Sequence, residues 1–302
     1  MSAGADSLKS ILFALGANFA IAVAKSAGAF FTGSTSLLAE AIHSYADCAN
    51  QGLLIWGLRE GKRKPNPDHP LGYGKAIYFW SFIVALMLFS MGGLFSIYEG
   101  LHKLQDPEPV KYVWVAIAIL VFGIAAESVS TWGCLREVNK VRGEMSLWQW
   151  FRTSRQSELL VVLAEDLAAL GGLTIALVFI VVAAVSGDPR WDAAGSIAIG
   201  VLLVLVAVVV GIEVKSLLLG QSVEPSVLAR MRVHIEGQPE IEQVYNLLTQ
   251  QHGEKVMVAV KARMRPAPSA LALIAAVNHV EQGFRAAFPQ VQWLFFEPDV
   301  AD

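Results

Sequence analysis

Charge is what this sequence has least of: 16% of its 302 residues are Asp, Glu, Lys or Arg, against about 25% in an ordinary soluble domain. So few ionised groups cannot coat a globule of this size, and the shortfall points to lipid. The 23 Lys and Arg do not outnumber the 26 Asp and Glu, which leaves no basic excess for nucleic acid, whose phosphates need clustered cations. Cysteine is scarce too. Cys48 and Cys134 stand far apart and build neither a disulfide framework nor a metal knuckle. No Ser/His/Asp constellation and no His-Glu-x-x-His run occurs, so catalytic chemistry has no candidate and no enzyme is expected. Apolar sequence is abundant: 55% of residues are hydrophobic and the mean hydropathy is +0.51, which excludes disorder, a fibrous repeat and a disulfide scaffold.

Six runs, at 9–32, 35–58, 77–102, 111–133, 158–185 and 192–219, reach the roughly 20 residues needed to cross a bilayer. The first is too long, and too interrupted by Asn18 and Lys25, for a cleavable signal peptide. Basic residues mark the cytoplasmic side. Arg59, Lys62, Arg63 and Lys64 follow span two, and Arg136, Lys140, Arg142, Arg152 and Arg155 lie between spans four and five. The opposite connections hold chiefly Lys103, Lys111 and Arg190, so a multi-pass protein with both termini cytoplasmic is expected. Trp148, Trp150 and Phe151 read as an aromatic belt at the cytoplasmic interface.

After Gly220 acidic and basic residues become dense, which predicts a transmembrane domain over 1–220 and an aqueous α+β domain over 221–302. Its signals run αββαβ: a helix opened by Pro225 and ending at Glu236, strands at 244–251 and 255–264 around His252-Gly253-Glu254, a helix capped by Ser269 and running to Ala287, and a strand at 291–297. About 80 residues make a marginal core, so pairing with a second copy is expected.

Span two carries Glu40, His43, Ser44, Asp47, Asn50 and Gln51 at separations of three and four, which places them on one helical face. An ionisable group at mid-membrane costs about 2.5–3.5 kcal/mol even on the insertion scale, so this face needs a partner inside the bundle. His43 and Asp47, one turn apart, are placed to share an ion; a structural hydrogen bond between helices is the other reading. Span five offers Asp166, with Glu165 beside it and Glu158 two turns earlier. Buried carboxylates repel one another unless a cation neutralises them, and together the two spans suggest a divalent-cation site. Gly171 and Gly172 permit close helix contact. Glu127, with Ser128, Ser130 and Thr131, either lines the same cavity or bonds a neighbouring helix. Lys25 either snorkels or neutralises an acid such as Glu40, and Lys75 and Glu213 are candidates for an interhelical ion pair.

Gly33-Ser34-Thr35-Ser36, Ala39-Glu40-Ala41-Ile42-His43-Ser44-Tyr45-Ala46-Asp47 and Asp68-His69-Pro70-Leu71-Gly72-Tyr73-Gly74-Lys75 resemble motifs of the cation diffusion facilitator family of zinc transporters. Ser196-Ile197-Ala198-Ile199-Gly200 and Lys215-Ser216-Leu217-Leu218-Leu219-Gly220-Gln221 extend the resemblance over nearly the whole chain. It implies a homodimeric metal/proton antiporter with six spans and a cytoplasmic metallochaperone-like domain. It also implies a transport site at His43 and Asp47 of span two and at a second pair on span five, commonly His and Asp, where this chain has Val162 and Asp166. The second imidazole is missing, and Glu165, Glu127, Asn50 or water then completes the shell. The family's loop site is matched through Asp68 and His69, with Tyr73 where other members have His. His234, His252 and His279 of the tail read as packed or solvated. The expected function is proton-coupled export of a divalent transition metal from the cytoplasm, zinc first, with manganese, iron and cobalt as alternatives, and with no prosthetic group. The other reading is a non-transporting membrane sensor or scaffold whose intramembrane site is structural.

Overall fold

The computed structural model describes residues 3–32, 35–107 and 112–301, apart from the side chains of residues 3–6, 29, 31, 32, 35–40, 42 and 43. Gly33, Ser34 and Lys111, and the side chains of Glu40 and His43, therefore lie outside the described residues. Helices α1 (Ala3–Thr32) and α2 (Thr35–Gly61) come first, then α3 (Ala76–Met87), which passes through a π-helical stretch (Leu88–Leu94) into α4 (Phe95–Gln105). They are followed by α5 (Val113–Val141), the short α6 (Leu147–Thr153), α7 (Ser157–Ser186) and α8 (Arg190–Leu219). Among the described residues five helical stretches, Ser7–Gly28, Ala76–Gln105, Val113–Val141, Ser157–Ser186 and Arg190–Leu219, are long and apolar enough to cross a membrane. The remaining long helix, α2, is diluted by its polar face. The chain is a helical membrane protein followed by a small α+β domain.

It divides into two compact units, one of Met1–Arg59, Ile77–Arg152 and Gln156–Lys215, the other of Glu60–Ala76, Thr153–Arg155 and Ser216–Asp302. The sequence places the break after Gly220. The second unit starts slightly earlier and takes in the α2–α3 connection, because Gly74 of that connection lies against the His252 carbonyl so closely that any Cβ would collide with it.

In the first unit α1, α5 and α7 pack on one another around a core that includes Ile11, Leu54, Val84, Cys134, Val138, Leu160, Val162 and Val214. Trp150 belongs to that core at 1% exposure; of the expected aromatic belt, Trp148 is exposed and stacks on Phe151. The difference arises because α6 is a helix, which turns residues 148 and 150 to different sides. The third span meets α8 through glycines. A Cβ on Gly200 would stand 2.7 Å from the Gly93 carbonyl oxygen and 2.7 Å from the Ile97 nitrogen, both backbone. Backbone cannot step aside cheaply, and membrane helices rely on such close approach. Gly200→Ala is therefore expected to cost about 1–3 kcal/mol and to lower the midpoint of thermal unfolding of the detergent-solubilised protein.

The second unit contains α9 (Pro225–Glu236), β1 (Ile241–His252), β2 (Lys255–Met264), α10 (Ala270–Ala287) and β3 (Val291–Pro298). The sheet order is β1-β2-β3, with β2 antiparallel to β1 and parallel to β3. The parallel pairing requires the crossover that α10 supplies, and the Ser269 side chain accepts from the Ala272 N–H at 3.2 Å to start that helix. Alternation on β2 buries Val256, Val258, Val260 and Ala262, which join Met231, Ile235, Val280 and Phe284 in one core. At the far edge Asp299 pairs with Lys261 at 3.1 Å. The Val300 N–H and the Lys261 ammonium hold its carboxyl below the usual range.

His234 lies edge-on to Phe284 and Phe288, and His279 Nδ1 sits 2.6 Å from Glu240 Oε1. His252 is buried beside Gln250 and Trp293. Burial first, and the Lys75 charge second, push its pKa below 6.5. A lowered pKa means that the unfolded chain binds the proton more readily, so stability declines as pH falls through about 6.5 toward the folded value. The protection factors of the β2 amides, corrected for the intrinsic exchange rate at each pH, are expected to fall over that window, and His252→Gln to flatten the change.

Candidate metal centre

The polar face of α2 turns inward, with Asn50 and Gln51 buried and Asp47 half-buried. Asn50 Nδ2 donates to Glu165 Oε1 at 3.1 Å, and Gln51 Nε2 donates to Glu165 Oε2 at 3.1 Å. Two amides of α2 thus grip both oxygens of one carboxylate on α7. Ser130 of α5 donates Oγ to Asp166 Oδ2 at 3.0 Å, which ties α5 to the same stretch of α7. Asp47, Asp166 and Glu127 are electrostatic neighbours of Glu165, and Glu127 has the Lys25 ammonium as a further neighbour. Such a concentration of acid inside an apolar bundle is unfavourable without compensating positive charge.

Lys25 does not snorkel. It is buried and donates Nζ to Ser44 Oγ at 3.1 Å. Asp47 and Asn50 line a small cavity with Met87, Leu88, Met91 and Gly92 of the third span, where the helix is π-wound from Leu88. Single π-turns inside α-helices frequently accompany functional positions.

The His43 backbone lies in α2 one turn before Asp47, and its side chain is outside the described residues. Among the described residues no three His, Cys, Asp or Glu side chains converge on one ion position. Val162, one turn before Asp166, is 0% exposed within the apolar core.

Other acids have different partners from those expected. Glu158 accepts from Ser7 Oγ at 2.9 Å and links α1 to α7. Glu213 pairs with Arg152 at 2.6 Å, where sequence suggested Lys75; α6, a helix not expected from the sequence, carries that arginine. Asp68 and His69 lie on the α2–α3 connection, in the second unit. There Tyr73 is the organiser. Its ring stacks on His69 at 4.4 Å and lies 4.4 Å from the Arg63 guanidinium, while its hydroxyl accepts from Asn66 Nδ2 at 2.9 Å.

A polytopic helical bundle with buried acids and amides on facing helices, joined to an αββαβ domain, is the build of a membrane protein that handles an ion in its interior. The chain belongs to the cation diffusion facilitator family: residues 11–219 match the cation efflux transmembrane domain. It is 31% identical over 220 residues, 72% of this chain and 39% of the other, to the Homo sapiens protein named proton-coupled zinc antiporter SLC30A9, mitochondrial. It is 28% identical over 243 residues, 80% of this chain and 53% of the other, to metal tolerance protein C4 of Arabidopsis thaliana. Against the zinc transporter ZitB of Escherichia coli K12 it is 23% identical over 282 residues, 91% of this chain and 83% of that one. The chain thus spans about two-fifths of the length of the human relative and about half of the plant one.

Proposed function

We propose that this protein exports a divalent transition metal from the cytoplasm in exchange for protons, with zinc as the first substrate and manganese, iron or cobalt as alternatives. The carrying observation is that Asp47, Glu127, Glu165 and Asp166, on α2, α5 and α7, are electrostatic neighbours inside an apolar bundle, with Glu165 tied to α2 and Asp166 to α5 by hydrogen bonds. The human and bacterial relatives, named a zinc antiporter and a zinc transporter, support the same reading. His43, Asp47 and Asp166 bind the ion, and Glu165 stands beside them. Asp68 and His69 form a separate cytoplasmic loop site. The tail is cytoplasmic, as are both termini, and it pairs two copies of the chain.

Binding requires a neutral imidazole and ionised carboxylates. Protons arriving from the far side compete for those groups, weaken the site and release the ion, so the two fluxes couple without a covalent step. Rocking of the bundle exposes the site to each side in turn. Zinc uptake into proteoliposomes with an imposed pH gradient tests the reading: flux that follows the gradient is expected. Absence of flux with all four metals, under any gradient, would reject transport and favour the sensor or scaffold.

A further inference from the structure

The family's second imidazole is replaced here by Val162, and Val162 offers no donor atom. Asn50 does. Its side chain is 4% exposed, and its Oδ1 has no hydrogen-bond partner among the described residues. Both Glu165 oxygens are taken up, Oε1 by Asn50 Nδ2 and Oε2 by Gln51 Nε2, and the Asn50 amide presents its nitrogen to the carboxylate and leaves Oδ1 unused. A buried carbonyl oxygen without a donor costs about 1–3 kcal/mol, which a cation or a water would relieve. Asn50 also lines one cavity with Asp47, three residues before it on the same face of α2. Gln51 shares the grip on Glu165 and likewise has an unpartnered oxygen, but it does not line that cavity.

Resting on the transport site proposed above, we infer that the Asn50 carbonyl oxygen is the fourth ligand of the transported ion and that Glu165 is its positioning residue. Glu165 acts through the amide: by accepting from Nδ2 it turns Oδ1 toward the ion and makes that oxygen more negative, as outer partners of metal ligands commonly do. The resulting shell of one imidazole, two carboxylates and one amide oxygen is harder than a two-imidazole shell. It therefore discriminates less sharply between zinc and manganese.

The test uses the full-length protein in lipid nanodiscs, with zinc(II) and cobalt(II) as probes. Glu165→Ala is expected to weaken zinc binding about 10–100-fold, Asn50→Ala at least as much, and the double variant no more than Asn50→Ala alone. Asn50→Cys, close in volume to the native residue, supplies a signature that a structural role would not produce. If residue 50 reaches the ion, cobalt bound to this variant shows a thiolate-to-metal charge-transfer band that the wild type lacks. Cobalt bound to Asn50→Cys without that band overturns the inference, whether Asn50→Ala weakens binding or fails to fold. Wild-type zinc affinity in Asn50→Ala overturns it as well. Asp47→Ala separates the two levels: if it binds zinc like the wild type, the transport site itself has been misplaced, whereas its loss of binding beside an unaffected Asn50→Ala rejects the Asn50 ligand alone.

Discussion

The Asp47→Ala variant is expected to carry no zinc and yet to purify as folded protein. Asp47 supplies one of the two carboxylates assigned to the ion, and it lies half-buried on the cavity wall with Asn50. Loss of an outer-shell partner alone costs about 10–100-fold in metal affinity, and removal of a direct carboxylate ligand should exceed that range, because the remaining groups cannot replace the water shell of a divalent ion. Folding responds in the other direction. Asp47 is an electrostatic neighbour of Glu165, so its deletion removes like-charge repulsion at little expense in packing. Proteoliposome flux, read beside size-exclusion and circular-dichroism profiles, checks both halves. Near-normal flux would exclude Asp47 from the site, and a misfolded variant would make it a structural residue.

Val162→His is expected to shift metal preference toward zinc. Val162 precedes Asp166 by one turn of α7, so the two side chains project from one face, and an imidazole there would complete a pair like that of His43 and Asp47. Nitrogen donors favour zinc over manganese, for which oxygen ligands and water suffice. The zinc-to-manganese affinity ratio should rise about tenfold or more, the equivalent of roughly 1.4 kcal/mol. The surroundings oppose the change. Val162 is wholly buried in the apolar core, and forcing extra atoms into a packed interior costs about 1–3 kcal/mol. The variant should accordingly be less stable than the wild type without metal and recover stability when zinc is added, because a ligand that binds only the folded state stabilises it. Competition binding and thermal unfolding, with and without each metal, measure both effects. Affinities for both metals unchanged from wild type would mean either that residue 162 faces away from the ion or that another residue already fills the fourth place.

Much of this arrangement is legible in the chain alone because the signals are local. The lengths of the apolar runs report the bilayer thickness, and the spacing of Asp47, Asn50 and Gln51 reports a polar helical face. Pro225, the turn at Gly253 and the Ser269 cap punctuate the tail at α9, the β1–β2 hairpin and α10. Each depends on residues within a few positions of one another, and local sterics and hydrogen bonding suffice to define them. Partners were decided elsewhere. Periodicity shows that Glu165 needs a partner but not that Asn50 and Gln51, 115 and 114 residues away, supply it. The same holds for Ser7 with Glu158, for Ser130 with Asp166 and for Arg152 with Glu213, where charge sign alone allowed Lys75 equally well. Trp150 is buried and Trp148 exposed because α6 turns them differently, a distinction that composition does not contain. The sequence by itself determined the long apolar helices, the elements of the tail and which faces are polar; the rotation and docking of each helix against its neighbours decided which polar atoms meet, because those contacts join residues that no local energy term connects.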